Sequence, residues 1–260
     1  MASRPAQPPP VVFIHGGFCG GWSFDHLRKP FEAAGHATLA PDLRGHEAGA
    51  APQAVVGVSM GDYAADIVKL CESLPAPPIL VGHSMGGLVA QMAAMRTPVA
   101  AMALLAPSPA WGGSASSVEE AIAAFGLHFL GPYWARSLPP DRSAMDAYCM
   151  PRMSKAERDA AFARMVPESG RAIFETLNWW LDPFMTTGVN PMRLKAPALA
   201  LVGQRDAIHP PRTVRMSARR IGAAFQELPG MSHWLLSEPG WETVADAILA
   251  WLAEQPGATA

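Results

Sequence analysis

Short apolar runs alternate with stretches of helical periodicity along most of this chain. Residues 11–14, 36–40, 79–81, 102–105, 199–202 and 225–228 read as strands, each followed within a few positions by Gly, Pro or Asp. Between them, Tyr63, Ile67 and Leu70 share one helical face, as do Val244, Ile248, Trp251 and Leu252. Residues 85–95 are apolar around the whole circumference, which suits a helix buried on every side. Strands apolar on both faces and separated by helices predict an α/β fold: a doubly wound, mostly parallel sheet of six strands.

Residues 111–190 break the alternation and contain no readable strand. Ser117 with Glu120, and Ser154 with Glu157, have capping-box spacing and each should open a helix. The segment is rich in Met and aromatic residues, and reads as a helical insertion between the fourth and fifth strands. The chain therefore divides into a disordered lead at 1–10, a core at 11–110 and 191–257, and a helical cap at 111–190.

Composition adds limits. With 260 residues, half of them hydrophobic and 16% charged, the chain buries enough apolar surface to fold. A net charge of −2 offers no footprint for nucleic acid or an anionic membrane. The uncharged stretches 73–95 and 98–118 are broken by Pro, Gly and Ser, so neither reads as a membrane span. The proline-rich lead lacks the apolar region of a signal peptide. Three cysteines, Cys19, Cys71 and Cys149, show no metal spacing and read as free thiols in a reducing cytoplasm.

The chemistry-bearing pattern is Gly82-His83-Ser84-Met85-Gly86, set after a strand and before a helix. A serine on so sharp a turn takes strained backbone angles and needs neighbours without side chains. The turn lifts the hydroxyl above the sheet and aims the first helical amides at the same point. The competing account is a glycine-rich turn whose serine only caps the helix.

Serine needs a base. His83 should diverge from Ser84, and His15 more simply fixes its loop. His26, His36, His46 and His128 carry no supporting context. His233 follows the last strand at the same sheet edge as Ser84 and is the candidate base. Asp206, just after the fifth strand, is the candidate acid, with Asp182 in the insertion as alternative. The order Ser84, Asp206, His233 fits this architecture. Gly17, with Phe18 second, and Met85 should supply the amides of an oxyanion hole. Phe18, Trp111, Phe125, Trp134, Trp180 and Trp234 are candidates for an apolar pocket, against the alternative of plain packing between cap and core. Arg44 and Arg205 suit either a substrate carboxylate or surface ion pairs.

These motifs together resemble the α/β-hydrolase superfamily over essentially the whole chain. The N-terminal hairpin usual in that superfamily has no room before Val11. The run from Ile14 to Trp22, and the ending Ser232-His233-Trp234 through Ser237-Glu238-Pro239, look like the plant methyl-ester hydrolase and hydroxynitrile lyase branch. In the lyases a lysine follows the catalytic histidine; here the residue is Trp234. Serine at position 84 departs from the aspartate of haloalkane dehalogenases and related epoxide hydrolases. The segment His46-Glu47-Ala48 departs from the superfamily's usual pattern and is given no role.

The resemblance implies a serine esterase for a small, apolar or aromatic ester, needing no metal or organic cofactor. Rival readings are a carbon–carbon bond hydrolase or lactonase with the same triad, a hydroxynitrile lyase, and a non-catalytic ligand receptor. Neither nucleic acid nor membrane is expected as partner, and the oligomeric state is open, a homodimer included.

Overall fold

The computed structural model describes residues 8–113, 126 and 131–255. Six strands form one sheet: β1 Val11–Ile14, β2 Thr38–Leu39, β3 Ile79–His83, β4 Ala101–Leu105, β7 Ala198–Gly203 and β8 Ala224–Leu228. Their order is β2-β1-β3-β4-β7-β8 and every pairing is parallel. The four central strands are buried at every position. β8 alternates, as an edge strand with one wet face should.

The chain runs outward from β1 to β2, then returns to lay β3 on the other side of β1. Right-handed crossovers in opposite directions put their helices on opposite faces. Accordingly Met60–Ser73 packs on Met85–Ala94, whereas Arg28–Ala33 packs on the C-terminal helix Glu242–Ala253. The strand order switches between β1 and β3, where the loops leave the sheet in opposite directions and open a crevice. Ile14 pairs with Gly82, so His15 and His83 emerge side by side at that crevice.

Between β4 and β7 lies the insertion. Its described part contains helices Lys155–Phe162 and Gly170–Leu177, the first opened by the Ser154/Glu157 capping box. It also contains what the sequence reading excluded: β5 Ser137–Leu138 pairs antiparallel with β6 Glu168–Ser169. Two-residue strands of mixed polarity carry no alternation to read. The Ser117/Glu120 box, Phe125 and His128 lie outside the described residues.

The lead needs correction at residues 8–10. The Pro9 carbonyl accepts a hydrogen bond from His36 Nδ1 at 2.8 Å, and the Pro10 carbonyl accepts one from the Ile79 amide. Among the described residues no helix is long and apolar enough to cross a membrane.

Candidate active site

Ser84 directly follows β3 with φ +52° and ψ −121°, a conformation costing roughly 1–3 kcal/mol that the surroundings must hold. Its amide donates to the Leu105 carbonyl at 2.9 Å, and its carbonyl accepts from the amides of Gly87 and Ser108. The helix it opens has no side-chain cap bond from Ser84, so the hydroxyl is not spent on capping. Gly86 is forced by space: a Cβ there would run into the carbonyl oxygens of Ile14 and His15. The elbow therefore sits hard against the end of β1.

The neighbouring loops are pinned around it. His15 Nδ1 donates to the Gly16 carbonyl, and its Nε2 accepts from the Leu43 amide at 2.9 Å. Burial, with the charge of His46 adding to it, lowers the His15 pKa to about 4, so this imidazole is a neutral loop brace. His83 is turned by a hydrogen bond of its own, its Nε2 donating to the His233 carbonyl at 2.9 Å. Burial first, then His233, lowers its pKa to about 3.

His233 is buried, and its Nδ1 lies 2.8 Å from Asp206 Oδ2. The other oxygen, Asp206 Oδ1, accepts from the amides of Ile208 and His209 at 2.9 and 2.8 Å. Burial alone would raise the Asp206 pKa, but the His233 charge and hydrogen bond, with His209, outweigh it and hold the carboxyl below its usual range. Ahead of His233, Glu238 accepts from the Ser232 amide and hydroxyl, fixing the loop. Asp182, the alternative acid, instead caps a turn, accepting from the amides of Phe184 and Thr186.

Ser84 and His233 line one cavity of about 400 Å³, predominantly apolar, together with Gly17, Met85 and His83. Phe18 and Trp234 line it too. Three other pocket candidates do not. Trp111 packs on Trp179 at 5.5 Å and donates to the Asp182 carbonyl. Trp134 packs on Tyr133 and Phe174 and is 44% exposed, and Trp180 packs on Trp179 and is 55% exposed. The insertion contributes other residues, among them Met145, Tyr148, Ile173 and Leu177. Aromatic content alone does not say which ring faces inward, and the insertion has no long helical period to set a face. Arg44 forms a surface pair with Asp66 and stays outside the cavity lining.

Sequence reasoning missed a second buried acid–imidazole pair. Glu168, wholly buried in β6, faces His46 Nε2 at 3.0 Å. It also accepts from Tyr63 Oη at 2.6 Å, the Ser169 amide at 2.7 Å and the Phe18 amide at 3.4 Å. Because the Phe18 amide faces Glu168, Gly17 is the stronger candidate of the two loop amides for the cavity. His46 Nδ1 faces the Arg44 carbonyl, so both ring nitrogens meet acceptors, an arrangement that favours the protonated ring. Burial opposes both charges. The attraction between them prevails, raising the His46 pKa and lowering that of Glu168. Nothing in the local spacing of Glu168 or His46 announces this pairing, which joins residues 122 apart.

The sheet order, the strained serine at the switch point and the His233–Asp206 pair on its rim describe a known architecture. A family model for the alpha/beta hydrolase family matches residues 11–247. The chain belongs to that family. It is 27% identical to the sn-1-specific diacylglycerol lipase ABHD11 of Mus musculus, over 95% of this chain and 82% of the relative. It is 40% identical to salicylic acid-binding protein 2 of Nicotiana tabacum over 80 residues, only 30% of either chain. In three dimensions it is similar to the Arabidopsis methylesterase MES16, with a TM-score of 0.71 at 18% identity, covering 95% of this chain and 100% of that one. An extracellular α/β-hydrolase from a Paenibacillus species gives a TM-score of 0.72 at 20% identity over 94% and 98% of the two chains. At these identities the structural likeness concerns the fold.

Among the described residues no cluster of His, Cys, Asp or Glu is arranged to hold a metal ion.

Proposed function

We propose that this α/β hydrolase is a carboxylic-ester hydrolase acting on a small, largely apolar or aromatic ester through Ser84, His233 and Asp206. One observation carries the reading. A serine on a strained turn, its hydroxyl not used in capping, lines the same apolar cavity as an imidazole bound to a buried carboxylate. The names of the relatives point the same way: a lipase over most of the chain, and over about a third of it methylesterase 3 of Arabidopsis thaliana, 33% identical over 85 residues.

The reaction has two acyl-transfer steps. His233 Nε2 takes the proton of Ser84 as Oγ bonds to the ester carbonyl carbon, and the carbonyl π electrons move onto oxygen. The amides of Gly17 and Met85 stabilise that oxyanion. Collapse expels the alkoxide, which His233 protonates. Water then attacks the acyl-enzyme, giving its proton to His233, and collapse of the second tetrahedral species returns a proton to Ser84. Asp206 stays ionised throughout, holding Nδ1 protonated and stabilising the imidazolium.

Trp234 stands where a lyase would carry its lysine, and its indole N–H donates to Ser237 Oγ at 2.8 Å. It brings no cation beside the base, which favours hydrolysis over cyanohydrin cleavage. The test is Ser84→Ala against a short p-nitrophenyl ester. Turnover should fall by about 10³-fold or more with the fold intact, and a fluorophosphonate should label wild type but not the variant. A variant keeping more than a few per cent of the rate removes Ser84 as nucleophile. A wild-type protein that takes no label supports a ligand receptor. Lactones, mandelonitrile and a dienoate ketone in the same panel separate the rival reactions.

A further inference from the structure

The loop after β1 is held in an unusual way. Phe18 has φ +65°, a left-handed conformation that a phenylalanine enters only under constraint. Both polar groups of its backbone are bound by the insertion. Its amide donates to Glu168 Oε2 at 3.4 Å, and its carbonyl accepts from the Val166 amide at 2.9 Å. Thus two residues of the insertion, about 150 positions away, grip the residue next to Gly17 on both sides.

The grip is anchored in the core. Glu168 takes hydrogen bonds from Tyr63 of the Met60–Ser73 helix and from His46 of the loop after β2. The His46 ring packs 5.0 Å from His15, the brace of the same β1 loop. Ser169 ties the strip down again, its hydroxyl donating to the Val58 carbonyl at 2.6 Å. The assembly closes on itself: β1 loop, β2 loop, Met60–Ser73 helix and insertion meet at one carboxylate. A Cβ on Gly17 would stand 3.5 Å from Glu168 Oε2, so the carboxylate also packs directly behind the candidate oxyanion residue.

We infer that Glu168 is a positioning residue: through Phe18 it sets the Gly17 amide, so the oxyanion hole is complete only while the insertion is docked. This rests on the ester-hydrolase reading. Glu168 lies behind the loop, outside the cavity lining, and touches no reacting atom. Its influence passes through two peptide units. A displaced donor weakens binding of the transition state more than binding of the neutral ester, because the charge to be stabilised forms only on attack.

The test is Glu168→Gln, which keeps the shape and removes the charge. We expect kcat for the p-nitrophenyl ester to fall roughly 10- to 100-fold, while KM changes by less than about twofold. Affinity for a trifluoromethyl ketone should fall by the same factor as kcat. Hydrogen exchange at the Gly17 and Phe18 amides should quicken in the variant. A merely structural carboxylate would lower the unfolding temperature and leave kcat, ketone affinity and exchange at the assay temperature unchanged; that result overturns the inference. So does faster exchange with unchanged kcat. If Glu168→Gln does not fold, Tyr63→Phe removes one donor and should move the same readouts in the same direction by a smaller factor. An inactive wild-type protein would count against the ester reading, while the exchange comparison would still decide whether Glu168 holds the loop.

Discussion

Two buried carboxylate–imidazole pairs, one on the sheet rim and one between insertion and core, are built from the same chemistry and face different surroundings. Asp206 and His233 come from loops after β7 and β8, both within the core, and the His233 ring lines the cavity. Glu168 and His46 join the insertion to the loop after β2, and neither lines the cavity. Asp206 engages Nδ1 of an imidazole that also lines the cavity. Around Glu168 every carboxylate oxygen is committed to amides, a phenol and an imidazole. Access, not composition, separates a pair suited to moving protons from one suited to holding two parts of the molecule together.

The sharpest way to break this contrast is to neutralise each acid in turn. Asp206→Asn should cost about 10³–10⁴-fold in turnover, because His233 loses its tautomer and the partner of its cation. That loss should exceed the one from Glu168→Gln measured under identical conditions; the reverse order would dissolve the distinction. Asp182→Asn should change turnover by less than about threefold, since Asp182 serves a turn. A large loss there would move the acid into the insertion.

Stability against pH sharpens the comparison further. Glu168 is depressed below its ordinary 4.5, so its contribution is present above that value and fades as pH falls through the depressed one. His46 is raised above 6.5, so its contribution is full below 6.5 and is lost as pH rises through the raised value. The titratable groups facing the pair include His15, Tyr63 and Cys19, all buried, with burial working against a charge on each. The gap in unfolding temperature between wild type and Glu168→Gln should therefore be widest between those two values and narrow on either side. A gap that does not vary with pH would show that the pair carries no charge.

The smallest expected effects concern the cavity wall. Tyr148→Ala should raise KM for an aromatic ester by about tenfold, equivalent to about 1.4 kcal/mol of lost contact. Trp180→Ala should leave KM within about twofold and stability within about 0.5 kcal/mol, because that ring is 55% exposed and stands outside the cavity lining. Equal effects of the two substitutions would redraw the cavity.

How much was legible in the sequence follows the same division. The sheet rim was readable because each of its parts is local. An apolar run ends in glycine, a serine sits between glycines, and Asp206 and His233 each follow a strand end. The insertion was not, because its contributions depend on which side of a short helix or turn faces inward. Trp134 and Trp180 satisfy the same composition as Tyr148 and Leu177, yet only the latter two reach the cavity. His46 looked idle because its partner lies 122 residues away on a two-residue strand.

The cavity thiols have a practical bearing. Cys19 and Cys149 both line the cavity, and burial pushes Cys19 up to about 12 and Cys149 well above its ordinary value. At neutral pH neither offers a thiolate. Soft alkylating agents such as chloroacetamides should pass through this enzyme without reacting, so selectivity among covalent ligands rests with hard electrophiles, boron and phosphorus centres, that seek a hydroxyl oxygen.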